Sequence, residues 1–292
     1  MDPEGFNGWL ETMITPLQKD DQLLRDIADA AGNALHVWWL GQSGFLLKQG
    51  GQYLLIDPYL SDALTLKYAA SDKPHVRMTE CCVAPERLDF VKLICSSHQH
   101  TDHFDEATLR PMAGPEVRLV VGGAVEADAR KRLGEVNIEL IAIEHAVTMK
   151  LNGWTLTGLA AAHNEIEHDQ QGRCKFLSFI VRRGGFTIFH SGDTLRHEGQ
   201  VPAIKPLECD LMLLPINGNK PERRVAGNLS GTEAAELAHD CGAKLVVPHH
   251  FEMFDFNTAS PDEFVNACER LGQPCKVMRC GERLELQPHV PK

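Results

Sequence analysis

The stretch "LICSSHQHTDHFDE" (residues 93–106) sets three histidines and an aspartate within six positions, directly after a short apolar run. Side chains two apart in an extended segment face the same way, so His98 and His100 can bind one metal ion together. If the chain turns after His100, Asp102 and His103 point toward a second ion. Imidazole and carboxylate are metal ligands. The spacing therefore predicts half of a binuclear metal site, and the alternative is a histidine-rich polar loop.

Three other segments carry candidate ligands directly after β-like apolar runs. "LTGLAAAHNE" contains His163, "FTIFHSGDT" contains Asp193, and "KLVVPHHFEMF" contains His249 and His250. Each signal is weak alone, because a single histidine at a strand end is more often structural and an aspartate in "SGDT" more often caps a turn. In combination with the histidine cluster, they indicate a site assembled from several strand ends.

Together with "LLIDP" (residues 54–58), these motifs resemble the metallo-β-lactamase superfamily of metal-dependent hydrolases over nearly the whole chain. The resemblance implies an α+β fold, a four-layer αβ/βα sandwich with two mixed β-sheets and helices on the outer faces. It also implies a ligand set for two ions: His98, His100 and His163 for the first, Asp102, His103 and His250 for the second, and Asp193 bridging both. The late motif of the family resembles Pro-x-His, which favours His250 over His249.

The chemistry implied by the resemblance is hydrolysis. Two divalent ions about 3.5–4 Å apart share a bridging water and lower its pKa toward neutrality, and the resulting hydroxide attacks a carbonyl or phosphorus centre. Asp102 is predicted to be catalytic, because it can orient the hydroxide and take or return a proton. Asp57 either supports a ligand imidazole or ends its strand in a turn before Pro58. The ligand types suit zinc, manganese or iron.

A narrower resemblance concerns L-ascorbate-6-phosphate lactonase and its relatives. It rests on "VWWLGQSGFLLKQGG" (residues 37–51), "FHSGDT" and "VVPHHFEMF", and it implies manganese as the metal. The chain departs from this group in the segment 60–85, which is shorter, and broader relatives often have Gly-His-Ser where this chain has Gly41-Gln42-Ser43. The resemblance predicts opening of a lactone or related ester of a small anionic substrate, such as a sugar-phosphate lactone.

The loop "NGNKPERRVAGN" (residues 217–228) follows an apolar run and contains Arg223 and Arg224. Loops at strand ends commonly bind substrates, and the forked donors of arginine suit phosphate. Arg223 and Arg224 are therefore candidate substrate-binding residues, and the alternative is a solvated charged loop.

Other functions of the same scaffold remain open. A phosphodiesterase or nuclease would use the same binuclear site, and a regulatory protein would bind the metals without catalysis. The formal net charge of −11 disfavours nucleic acid as a partner, and complete ligand motifs disfavour the regulatory protein. A substrate screen distinguishes these alternatives.

The organisation of the chain follows from its apolar patterns. They predict a hairpin turn at "QGGQ" (residues 49–52) and a capping box at Ser230 and Glu233. They also predict a long loop or lid over residues 60–85 and a strand at "CKVMRC" (residues 275–280). We predict one domain over residues 1–292, with an N-terminal helical extension at about 1–34. No apolar run is long enough to span a membrane, the N-terminus lacks the features of a signal peptide, and nine cysteines contain no Cys-x-x-Cys pair. These features predict a cytoplasmic protein without a membrane partner, and they leave a homo-oligomer open.

Overall fold

The computed structural model describes residues 13–288. Helices and strands are numbered separately along the chain. The helices are α1 (Asp20–Asp29), α2 (Ala63–Tyr68), α3 (Glu106–Leu109), α4 (Glu126–Leu133), α5 (Gln200–Ile204), α6 (Gly231–Cys241) and α7 (Asp262–Leu271). The strands are β1 (Leu35–Trp39), β2 (Phe45–Gln49), β3 (Gln52–Ile56), β4 (Leu93–Ser96), β5 (Arg118–Gly122), β6 (Glu139–Ile143), β7 (Thr148–Leu151), β8 (Trp154–Ala160), β9 (Leu177–Arg183), β10 (Phe186–His190), β11 (Leu211–Pro215), β12 (Val246–His249) and β13 (Arg283–Leu286).

The strands form two mixed sheets, and each sheet changes from antiparallel to parallel pairing along its width. Sheet one has the order β13-β1-β2-β3-β4-β5-β6 and becomes parallel at β3. Sheet two has the order β12-β11-β10-β9-β8-β7 and is parallel from β10 to β12. The parallel strands of a sheet end at the same edge, so the loops that follow them lie close together.

The core has the layers that the sequence predicts. Trp39 and Phe45 of sheet one pack in one cluster with Phe179 of sheet two and with helices α6 and α7. The opposite face of sheet one packs with α1, where Leu23 and Ile27 lie one turn apart and are buried. The order of layers is helix, sheet, sheet, helix, which confirms the four-layer sandwich with helices on the outer faces.

Several local predictions are confirmed at their turns and caps. Gly50 and Gly51 both have positive φ, +55° and +75°, as a two-residue hairpin turn between β2 and β3 requires. Ser230 Oγ accepts a hydrogen bond from the Glu233 backbone N–H, and the Glu233 carboxylate accepts one from the Ser230 backbone N–H, which completes the capping box of α6. Helix α1 lies in the predicted N-terminal extension, of which residues 1–12 fall outside the described part of the chain.

Two local predictions are wrong. The segment 60–85 is not a loop throughout, because it contains α2, which buries a single side chain, Leu64, and therefore shows no apolar period. The segment "CKVMRC" (275–280) is not a strand. It pairs with β12 only near Cys275, and then the chain turns so that Gly281 N–H donates to Trp39 O.

Two whole-chain properties complete the description. All nine cysteines are free thiols. Over residues 13–288, the helices are too short or too polar to cross a bilayer.

Candidate metal centre

The predicted ligands lie at one edge of the two sheets, in the loops that follow β4, β8, β10 and β12. Gly192 allows two of these loops to approach each other, because a Cβ added there would lie 2.7 Å from the Ser97 Cβ, and its φ is +58°. Only glycine tolerates both conditions. This contact brings the Asp193 loop against the histidine loop of residues 97–103.

His98, His100 and His163 form the first group of candidate ligands. His98 Nε2 lies 3.1 Å from His100 Nδ1, and the ring centroid of His163 is 5.3 Å from that of His98 and 5.1 Å from that of His100. The Nδ1 atom of His163 is within hydrogen-bond distance of the Gly227 carbonyl, at 3.0 Å. His163 therefore presents Nε2 toward its two partners, as a ligand to a shared ion would.

Asp102, His103 and His250 form the second group. Asp102 Oδ2 lies 3.7 Å from His103 Nε2 and 3.5 Å from His250 Nε2. The imidazoles are buried, whereas the Asp102 side chain keeps 16% of its surface exposed. One carboxylate oxygen thus faces two ring nitrogens at the border between protein and solvent.

Asp193 lies between the two groups. Its Oδ1 is 3.2 Å from His103 Nε2, and its Oδ2 is 3.3 Å from His250 Nε2 and 3.6 Å from His163 Nε2. A carboxylate that contacts nitrogens of both groups has the placement of a bridging ligand. The structure therefore brings together all seven predicted ligands, and their binding of metal stays a prediction.

Asp57 supports the histidine loop from below. Its Oδ2 lies 2.7 Å from His103 Nδ1 and accepts from Ser97 Oγ at 2.6 Å, while its Oδ1 accepts from the Ser97 backbone N–H at 2.7 Å. A hydrogen bond at Nδ1 fixes the tautomer of His103, so that the Nε2 lone pair is available to a metal. This geometry is consistent with the supporting role predicted for Asp57.

The electrostatics of the cluster suit a cation. Burial, with the neighbouring His103, holds the pKa of His98 well below its usual range. Burial opposes the charge of Asp193, but His103 and His250 hold the pKa of this carboxyl well below its usual range. Burial would lower the pKa of His250, but the negative charge of Asp193 outweighs this effect and raises the pKa to about 9. The centre thus offers a neutral imidazole and an ionised carboxylate, and a metal ion would replace the proton of His250.

His249 and His190 form a pair beside the centre and not part of it. Their rings stack at 5.1 Å, His249 Nδ1 lies 3.1 Å from Ser43 Oγ, and His190 Nε2 lies 2.9 Å from the Ser43 carbonyl. The structure places His250, and not His249, against Asp102 and Asp193.

Gln42 is a neighbour of the centre that the sequence analysis did not place there. It is fully buried, and its Nε2 donates to Asp102 Oδ2 at 2.8 Å. The available signal was its position after β1, at the third residue of the Leu-Gly-Gln-Ser turn.

A cavity of about 820 Å³ opens over the ligands. Its walls include Lys67 and Tyr68 of α2, Arg132 of α4, and the segment Val225–Ala226. The Arg132 guanidinium forms an ion pair with Glu106, whereas the Lys67 side chain is exposed.

The structure does not bring Arg223 and Arg224 to this cavity. Arg223 donates to the Thr258 carbonyl at 2.6 Å and to Asn257 Oδ1 at 3.1 Å. Arg224 forms an exposed ion pair with Asp72 at 2.6 Å. Both guanidinium groups therefore have protein partners and do not line the cavity, although Asn257, a partner of Arg223, does.

Comparison with known proteins agrees with this arrangement. The family described as "Beta-lactamase superfamily domain" matches residues 52–251. A metal-dependent hydrolase of Rubrobacter xylanophilus is 30% identical over 260 residues, which cover 85% of this chain and 95% of the relative. A metal-dependent hydrolase of Methanosarcina mazei is 27% identical over 86% of this chain and 99% of the relative.

Solved structures show the same fold at lower identity. The isothiocyanate hydrolase from Delia radicum gut bacteria has a TM-score of 0.68 and 20% identity, over 85% of this chain and 98% of that chain. At these identities the likeness concerns the fold. The family match, the relatives and the clustered histidine and aspartate side chains lead to one conclusion: the chain belongs to the metallo-β-lactamase superfamily and is a metal-dependent hydrolase.

Proposed function

We propose that this hydrolase opens a lactone or related ester of a small anionic substrate, such as a sugar-phosphate lactone. The observation that supports the proposal is the clustering of seven candidate ligands, five of which line a cavity of about 820 Å³ whose wall carries Lys67. The lactonase-like stretch 37–51 supports the same substrate class, because it contributes the loop against Asp102.

The chemistry divides between the metals and the protein. When bound, two divalent ions would supply an acidified water and polarise the ester carbonyl. We assign zinc, manganese or iron to the site, and manganese follows from the lactonase resemblance alone. The candidate ligands on loops of both sheets would hold the ions, while Asp57 fixes the imidazole of His103.

We propose that Asp102 takes up a proton during the reaction and returns it to the leaving group. Burial would raise the pKa of Asp102, but His103 and His250 hold it well below its usual range, so the carboxylate is ionised. Asp102 is also more exposed than Asp193, with 16% against 4% of the side-chain surface. It therefore faces the cavity, where the leaving group would receive the proton.

Lys67 is the cation that we propose for the anionic group of the substrate. It lies on α2, which lines the cavity. The segment after α2 carries Lys73, whose ammonium donates to the Arg224 carbonyl at 2.9 Å and to the Arg223 carbonyl, next to the lining residues Val225 and Ala226. This attachment keeps α2 near the ligands. An ammonium on this helix can meet a phosphate or carboxylate while the ester lies on the metals.

We propose a reducing cytoplasm as the compartment, with no nucleic acid or membrane as partner. The nine free thiols and the net charge of −11 support this. A phosphodiesterase remains the alternative activity, because the same centre could attack phosphorus.

The decisive experiment is a screen of the metal-loaded protein against lactones, sugar-phosphate lactones, phosphodiesters and isothiocyanates, with Asp193→Ala as the inactive control. We expect turnover of lactones or esters, with a preference for anionic ones. Turnover of phosphodiesters alone would replace the proposal by the alternative.

The role of Lys67 is tested with paired substrates that differ in the anionic group. Lys67→Ala should raise KM about ten- to hundredfold for the anionic substrate and leave kcat nearly unchanged, because a charged hydrogen bond contributes about 1.5–3 kcal/mol. Lys150→Ala, an exposed lysine on β7, should change neither constant. An equal KM change for the neutral substrate would show that Lys67 does not bind the anion.

A further inference from the structure

Gln42 occupies a constrained backbone position between β1 and β2. Its φ is +49°, in the left-handed region, and its carbonyl accepts from the His250 backbone N–H at 3.0 Å and from Trp39 Nε1 at 2.9 Å. A non-glycine residue stays in this conformation only where its surroundings hold it. The backbone of Gln42 is therefore fixed relative to the loop that carries His250.

The side chain of Gln42 contacts two candidate ligands of the second ion. Its Nε2 donates to Asp102 Oδ2 at 2.8 Å, and it lies 3.1 Å from Nε2 and 3.4 Å from Nδ1 of His250. Because the distances to the two ring nitrogens are nearly equal, the amide lies beside the imidazole and not at the end of one lone pair. The His250 Nε2 lone pair thus remains directed away from Gln42.

The acceptor atom is informative. Asp102 Oδ2 is the same oxygen that faces His103 Nε2 and His250 Nε2. A carboxylate has about four acceptor sites, so Oδ2 can accept from Gln42 and still bind a cation. The hydrogen bond from the Gln42 amide fixes the rotation of the Asp102 carboxylate about its Cβ–Cγ bond. It therefore determines which carboxylate oxygen points to the metal.

We propose that Gln42 is a positioning residue for the second metal ion, which orients Asp102 through a hydrogen bond and His250 through side-on contact. The proposal rests on the metal centre of the proposed function and does not depend on the substrate. An amide suits this role because it carries no charge, so it orients the carboxylate without competing with the cation.

The carbonyl oxygen of the Gln42 side chain allows a substitution that separates metal binding from folding. Gln42 Oε1 is buried and has no hydrogen-bond partner among residues 13–288. An unpaired buried acceptor is unfavourable for folding, so replacing the amide by a thioether of similar length removes that cost together with the bond to Asp102. The removed cost offsets the lost hydrogen bond, so Gln42→Met is expected to fold, with a metal-free unfolding midpoint close to that of the wild type.

The experiment is a two-step calorimetric titration of the metal-free protein with Mn²⁺ and, separately, with Zn²⁺. In Gln42→Met, we expect the second ion to bind about ten- to hundredfold more weakly, the range typical of residues that orient metal ligands, and the first ion to bind as in the wild type. Gln200→Met is the matched control, because Gln200 is also buried with an unpartnered amide but lines a different cavity. Both ions should bind to it unchanged.

Three outcomes would overturn the proposal. They are unchanged binding of both ions in Gln42→Met, equal weakening of both ions, and a wild type that binds one ion only. None of them involves turnover, so a failed substrate screen and a failed assignment of Gln42 are distinguishable.

Discussion

His249 and His250 are neighbours in sequence with different surroundings. His249 stacks on His190 and contacts Ser43, whereas His250 faces Asp102 and Asp193. The difference arises at His250, whose φ of +62° turns its side chain away from the direction of β12.

We predict that His250→Ala loses about one metal ion per chain and most of the activity. His249→Ala should retain both ions and lose about 1–3 kcal/mol of unfolding free energy, since it removes a buried ring. Elemental analysis after metal loading and dialysis, together with urea unfolding, measures both effects. The reverse order of metal loss would identify His249 as the ligand.

Arg223 has a structural role according to its contacts, so we predict that Arg223→Ala lowers the free energy of unfolding by about 1–2 kcal/mol. The substitution removes the guanidinium donor to the Thr258 carbonyl and one of the two donors to Asn257 Oδ1, where Asn217 Nδ2 remains. Arg224→Ala should cost less than about 0.5 kcal/mol, because its ion pair with Asp72 is exposed. Urea unfolding compares the two variants. Equal costs would contradict this reading.

At the residue scale, the clustering of the candidate ligands could be predicted, because metal chemistry restricts residue types and spacing. The histidine cluster and the strand-end positions of His163 and Asp193 indicated a shared site, and the family resemblance implied the full set. The role of Gln42 could not be predicted, since an amide has no chemistry that marks it, and only the folded loop brings it to Asp102. The surroundings of Arg223 and Arg224 could not be predicted for the same reason, because charge alone does not determine whether a side chain faces the cavity or a carbonyl.

At the element scale, the loops after β4 and β10 depend on their closest contact, at Gly192. We predict that Gly192→Ala destabilises the protein by more than about 2 kcal/mol and weakens metal binding, because a methyl group would contact Ser97 and the Leu177 carbonyl. Gly185→Ala is the control. It also has a positive φ, +86°, but has open space at its Cβ, so it should cost about 1 kcal/mol and leave metal binding intact. Similar metal affinities in the two variants would contradict the argument.

Elements with their own local signals were predicted well, and those that depend on tertiary contacts were not. The capping box of α6 and the Gly50–Gly51 turn are specified by a few adjacent residues. Helix α2 buries one residue against its surroundings, and the segment 275–280 meets β12 at a single point. Local sequence patterns do not predict such elements, because their conformation depends on a few tertiary contacts.

At the scale of the whole molecule, the metal centre joins the two sheets. The loop after β4 belongs to sheet one, and the loops with His163, Asp193 and His250 belong to sheet two. An ion that is bound by both sheets must be released before they separate. Binding to the folded state alone stabilises a protein by about 4 kcal/mol at a thousandfold excess over Kd.

We therefore predict that metal loading raises the melting temperature and that a chelator reverses the change. Asp193→Ala should reduce the shift, because it removes the carboxylate between the two groups. Differential scanning calorimetry with and without chelator measures it. A melting temperature independent of metal would contradict a centre shared by the sheets.

The last strand, β13, pairs with β1, so that residue 286 lies opposite residue 35. This pairing sets the order of events during synthesis. A ribosome adds about 5–20 residues per second, so the free edge of β1 waits roughly 12–50 seconds for its partner, and during that time it is open to other chains. The histidine loop likewise emerges long before the loops that carry Asp193 and His250. Closure of sheet one and loading of the metals are therefore both late steps in the biogenesis of the protein.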